Sequence, residues 1–200
     1  IEAGHEHSVA ATKTVIGSMA AGALLVAELA DDGALRDALD RLPERLTRAL
    51  ALDWSRIADD LASASAVFVA GRGLTLGSVR EIALKLSEIL RLPSIGVSAA
   101  ELQHGPRAAL SSRTPVIMMR LMDETAATVD ALAKELRAQN IALHLAGGPL
   151  GSLPWLAEDD PLTDAITMLV PAYRMIEQAA RACGFDPDRP PRLSKITETF

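Results

Sequence analysis

Residues 66–90, AVFVAGRGLTLGSVREIALKLSEIL, decide the fold. The run AVFVAG is short, β-branched and closed by glycine, which is how a strand buried on both faces reads. A glycine-rich turn follows, and from Ser78 to about Arg91 the apolar residues recur at helical spacing. Strand, tight turn and helix make the first half of a βαβ unit. On the helix, Ile82, Leu86 and Ile89 supply the packing stripe, while Glu81, Lys85 and Glu88 stand at i, i+4 and i+7 on another face. That face has two readings: a solvated ion-pair ladder of the common Glu-to-Lys kind, or an acid–base surface turned into a pocket.

The alternation continues outward. PSIGVSA (93–99), TPVIMMRL (114–121) and IALHLAGG (141–148) read as further strands, with SLPWLA (152–157) as a fifth. Between them lie AELQHGPRAAL (100–110), a short helix interrupted at Gly105-Pro106, and the amphipathic helix 125–140. A last helix runs from about Pro161 to Cys183 with a kink expected at Pro171. Strands alternating with helices specify right-handed crossovers and a doubly wound parallel sheet, here of five strands, covering about 64–186. Ligands of such sheets bind beyond the carboxyl ends of the strands, where Gly71–Gly77 and Ser98–His104 fall. Residues 1–63 differ. An Ala-rich helix is expected from Ser8, as N-cap, to Leu29, then connecting helices over 31–63 broken around Gly33, Pro43 and Asp53, with no strand between them.

Composition narrows the function. Hydrophobic residues make up 49% of the 200, enough for a filled core. With three Phe, two Trp and one Tyr, that core must be aliphatic. A net charge of −6 argues against nucleic acid, which needs a basic stripe. No apolar run reaches bilayer length. The single cysteine, Cys183, rules out an internal disulfide and fits a reducing cytoplasm; beside Gly184 at a helix end it reads as a packed or idle thiol. The chain opens at Ile1 with no initiator Met or signal peptide, so the expectation is that residues were removed or that it is a piece of something longer.

Other motifs carry less. GRGLTLG has the spacing G-x-G-x-x-x-G, one residue away from a dinucleotide fingerprint. Its next strand reaches an acidic residue, Glu101, only after three small ones, so a nicotinamide cofactor is not expected. His5, Glu6 and His7 lack a further ligand nearby, and no metal is expected. His104, ahead of Gly-Pro, is either a hydrogen-bonded structural residue or a proton shuttle. The polar tail PPRLSKITETF would ordinarily fray, yet Leu193 and Ile196 offer it apolar anchors.

Four segments in order resemble the sugar isomerase (SIS) family, above all its double-SIS members: EHSVAATKT (6–14), GRGLTLGSVREIALKLSE (71–88), SAAELQHGP (98–106) and DPDRPPRLSKITET (186–199). These members include the isomerase half of glucosamine-6-phosphate synthase and the SIS-type glucosamine-6-phosphate deaminases. The resemblance implies that residues 1–30 end a first SIS unit, 31–63 connect, 64–186 form a second unit and 187–200 fold over the site. The family's S-x-S-G-x-T phosphate loop does not occur in the chain.

By the same resemblance, Glu88 moves a proton between C1 and C2 of an open-chain sugar, and Lys85 offsets the negative charge of the enediol-type intermediate. Glu81 is the preceding acid on that face. His104 opens the sugar ring, reaching into the neighbouring subunit's site of a homodimer. Lys195, beside Ser194, folds over the sugar, while Val9 and Ala11 border it. Ala11 stands where the synthase motif V-A-S-T-K has serine, and KITET looks closer to the deaminase ending. The resemblance therefore implies a cytoplasmic phosphosugar isomerase or deaminase that converts glucosamine-6-phosphate to fructose-6-phosphate and ammonia without a cofactor. The isomerase part of glutamine–fructose-6-phosphate aminotransferase and a non-catalytic sugar-phosphate-binding module are the alternatives.

Overall fold

The computed structural model describes residues 1, 3–156 and 158–195. Three helices come first: α1 (Lys13–Leu29), α2 (Gly33–Ala49) and the short α3 (Ala58–Ser63). The βα alternation follows as β1 (Val67–Gly71), α4 (Leu76–Ile89), β2 (Ser94–Ser98), α5 (Ala99–Leu102), β3 (Val116–Met119), α6 (Ala126–Ala138) and β4 (Leu143–Ala146). Helices α7 (Pro161–Thr167) and α8 (Leu169–Ala182) close the described order.

The sheet has the order β2-β1-β3-β4 and every pairing is parallel. The expected fifth strand is reduced to one parallel bridge, Leu153 to Ala146. Pro154 follows at once and has no N–H to extend a ladder. Within β1, Val67 and Val69 face one core with Ile117 and Met119, while Phe68 and Ala70 face the other with Val116 and Met118. That is the two-residue alternation of a strand covered on both sides. Helices α4 and α8 cover the first face, α5 and α6 the second. Burying Ile82 and Leu86 of α4 contributes about 1.5–3 kcal/mol each.

Gly96 lets α4 lie close on β2. A Cβ there would stand 2.7 Å from the Arg80 Cα, and backbone cannot yield. The close seating fixes the outward face of α4, the one that carries the charged ladder.

Three helix boundaries depart from expectation. Helix α1 starts at Lys13, because the acceptor that satisfies its first amides is the Glu6 carboxylate instead of a Ser8 hydroxyl. Helix α2 runs through Pro43, whose ring is exposed while Leu35, Ala38, Leu42 and Ala49 hold the helix to the core. The helix expected to kink at Pro171 is broken earlier, at Met168, one turn ahead of the proline. The pyrrolidine ring clashes with the carbonyl four residues back, which belongs to Thr167, the last residue of α7. Among the described residues no helix is long and apolar enough to cross a membrane.

Candidate functional site

Lys85 is the centre of the charged face. It is 3% exposed, and its Nζ lies 2.9 Å from Glu88 Oε2 and 3.2 Å from Glu81 Oε1. Helical geometry brings the three together. Their burial comes from what lies over them: the segment before α1, helix α8 and the C-terminal tail. A surface ladder of this composition contributes a few tenths of a kcal/mol. Here the ladder forms one wall of a cavity of about 370 Å³, lined also by Glu6, Val9, Ala11, Thr14, Leu193, Ser194 and Lys195.

Seven of the eight residues singled out from the sequence therefore share one cavity: Val9, Ala11, Glu81, Lys85, Glu88, Ser194 and Lys195. The tail is tied down at two points. Lys195 Nζ donates to the Ser8 carbonyl at 2.6 Å, and Val9 N donates to the Asp188 carbonyl at 3.1 Å. Leu193 stays largely exposed, and Ile196, the other expected anchor, lies outside the described residues.

His104 is the residue left out. It follows α5, whose Ser98–Glu101 capping box orders the turn, and its side chain is exposed. Helix α5 packs with α6 on the sheet face opposite α4 and α8, so His104 and the ladder stand on opposite sides.

Two members of the site were not singled out from the sequence. Glu6 is buried, and its Oε2 accepts from Thr14 Oγ1 at 2.7 Å, Thr14 N at 2.9 Å and Thr12 N at 3.3 Å. Burial pushes its carboxyl up, but the hydrogen bonds from Thr14 and Thr12 and the Lys195 charge outweigh it and hold the group below the usual carboxylate value. Tyr173 of α8 donates its hydroxyl to Glu81 Oε1 at 2.8 Å. Burial first, then the neighbouring Glu81 charge, push its phenol far above the ordinary value. Only the Glu6 position carried a signal, an acid between histidines that invited a metal reading. His5 and His7 touch edge to face, and among the described residues no cluster of three ligating side chains is suited to a metal.

The cavity thus sets a carboxylate, Glu88, beside a buried ammonium, with a second ammonium bridging two chain segments at its rim. A base next to a fixed cation suits the removal of a proton α to a carbonyl, where the cation meets the charge that develops on oxygen.

Residues 60–146 match the SIS domain family. The glutamine–fructose-6-phosphate aminotransferase (isomerizing) of Methanothermobacter thermautotrophicus is 34% identical over 96% of this chain and 34% of its own length. A candidate phosphosugar isomerase from Silicibacter pomeroyi is 34% identical, with a TM-score of 0.87 over 93% of this chain and 58% of that one. The C-terminal domain of the Francisella tularensis glucosamine-fructose-6-phosphate aminotransferase superimposes with a TM-score of 0.82 at 23% identity, a likeness of fold. The chain spans about a third of the length of the curated relative and somewhat over half of the solved ones.

Proposed function

We propose that the cavity beside α4 interconverts an amino-hexose 6-phosphate and a ketohexose 6-phosphate by proton transfer between C1 and C2. The observation that carries this reading is the buried Lys85 held between Glu81 and Glu88 on the cavity wall. With glucosamine-6-phosphate in its open form, the Glu88 carboxylate takes the C2 proton. The electron pair forms the C1–C2 double bond, and the Lys85 ammonium offsets the charge gathering on the C1 oxygen. Glu88 returns the proton to C1, and a proton passes from the C2 nitrogen to the C1 oxygen, leaving a C2 imine beside a C1 hydroxyl. Water adds to that imine and ammonia departs, so that one sugar phosphate and one water give fructose-6-phosphate and ammonia. Lys195 and Ser194 close the tail over the sugar, and Val9 and Ala11 border it. His104 serves ring opening from its own side of the sheet, in the site of a second copy, so a cytoplasmic homodimer is part of the proposal.

The 34% identity to an aminotransferase favours a second reading, the same equilibrium run toward the amino sugar. One assay covers both. Ammonia release from glucosamine-6-phosphate, and amino-sugar formation from fructose-6-phosphate plus ammonium, are measured for the chain and for Glu88→Ala. Turnover in either direction that vanishes in the variant supports the chemistry, and the faster direction chooses between the readings. A folded chain that turns over neither substrate, or a Glu88→Ala variant as active as the parent, removes the proposal. Retained sugar-phosphate binding without turnover would leave the non-catalytic module.

A further inference from the structure

Tyr173 is the only tyrosine of the chain, and it stands in the partition between two cavities. The irregular segment before α1 forms the rest of that partition. Val9 and Ala11 face the cavity with the ladder, whereas Ser8, Ala10 and Thr12 face a second cavity of about 380 Å³. The Tyr173 ring lines the second cavity, yet its hydroxyl crosses the partition to Glu81.

The oxygen it reaches is the informative detail. Tyr173 donates to Glu81 Oε1, the same atom that lies 3.2 Å from Lys85 Nζ. Lys85 is shared: Glu81 Oε1 draws it one way and Glu88 Oε2, at 2.9 Å, the other. A hydrogen bond from a neutral donor takes up part of the charge on Glu81 Oε1 and weakens its hold on the ammonium. We infer that Tyr173 is a positioning residue for the proposed reaction: by occupying Glu81 Oε1 it leaves Lys85 weighted toward Glu88. This inference rests on the proposed role of Glu88.

The charged groups around the phenol are Glu81, Lys85 and Glu88 of α4 and Glu6 of the leading segment. Its own helix contributes Arg174 and Glu177, and the far wall of the second cavity Lys13 and Asp188. Arg174 donates to the Leu50 carbonyl, Lys13 to the His5 carbonyl, and Glu177 accepts from Arg181. Of this set, Glu81 alone accepts from the phenol.

The test uses two variants that move Lys85 in opposite directions. Tyr173→Phe keeps the ring and its packing but frees Glu81 Oε1, so Lys85 swings onto Glu81 and away from Glu88. Glu81→Gln removes the competing charge, so Lys85 settles wholly on Glu88. Crystal structures of both ligand-free variants read the displacement directly. In turnover, Tyr173→Phe is expected to lower kcat about ten-fold with KM nearly unchanged. The acidic limb of its pH–rate profile moves up and that of Glu81→Gln moves down, and Glu81→Gln/Tyr173→Phe behaves like Glu81→Gln alone. A Lys85 that stays in place, moves the same way in both variants, or shows additive effects in the double variant overturns the inference. If Tyr173→Phe fails to fold, Glu81→Gln still reads the link from its other side. Lys85 displaced as expected in a chain without turnover upholds the positioning and removes the proposed reaction instead.

Discussion

Arg45 and Lys85, two of the buried cations among the described residues, each stand between two carboxylates, and they teach different things. Arg45 of α2 lies 2.7 Å from Asp164 of α7 and 3.4 Å from Asp159 just before that helix. Lys85 lies between Glu81 and Glu88 of its own helix. The first set joins residues about 120 positions apart, with Arg45 and Asp164 buried and Asp159 at the edge. Arg41 pairs with Asp159 through two nitrogens, and Asp159 N donates to Asp164. Burial pushes the Asp164 carboxyl up, and the Arg45 hydrogen bond only partly offsets it. Such a network fixes how α2 docks. The second set spans less than two helical turns, needs no tertiary contact to assemble and borders a cavity. A planar, always charged guanidinium suits the staple, and a compact ammonium on a flexible stem suits a site where charge must come and go.

Mutation at the two centres should separate structure from chemistry. Arg45→Ala leaves the buried Asp164 carboxylate without its cation, while Asp159 keeps Arg41, and should cost about 3–5 kcal/mol in urea unfolding. Lys85→Met, on the cavity side, is expected to cost much less stability while removing turnover. Equal losses of stability at the two sites would erase the distinction.

Alkaline pH sharpens the comparison next. The fold holds the Tyr173 phenol protonated where an unfolded chain loses its proton, so the contribution is whole below about pH 10 and drains as pH rises beyond it, by up to roughly 1.4 kcal/mol per unit. Phenolate absorption and loss of helical circular dichroism should therefore rise together in the parent. Tyr173→Phe should flatten that stretch of the stability curve.

A smaller effect belongs to Glu6. Replacing it by Ala strips the first amides of α1 of their acceptor and should cost about 1 kcal/mol. Because its carboxyl is held below the usual value, its contribution is present above about pH 4.3 and is lost as pH falls further. Thermal melts of parent and Glu6→Ala should thus converge in acid.

The smallest effect is expected at His144, which sits 2.7 Å from Asp60 across β4 and α3. Burial lowers its imidazole below the ordinary value, outweighing Asp60, and Arg56 adds to the lowering. Its contribution is therefore present above about pH 6.5 and declines as pH falls through that range. A melt of His144→Gln that keeps the parent's slope between pH 7 and 5 would assign that slope to other groups.

Much of the fold was legible because its signals are local. AVFVAG and TPVIMMRL read as buried strands, and both proved to be central ones with every residue buried. The misreadings lie where a distant or competing interaction decides. SLPWLA looked like a strand, but a proline after one bridge ends it. Pro43 looked like a break, but the packing of its helix on both sides overrides it. Ser8 looked like a cap, while the acceptor came from Glu6.

The sequence by itself determined that Glu81, Lys85 and Glu88 would share a face and that a glycine-closed strand would deliver their helix. Those relations are set by backbone periods of a few residues, so they survive without knowledge of the rest of the chain. Only the tertiary structure decided that this face would be buried, that Lys195 would reach Ser8 from 187 residues away, that Tyr173 would take one oxygen of Glu81, and that His104 would lie across the sheet. Each of these depends on which elements pack together, and no periodicity within a segment encodes the side chain that will arrive from another one.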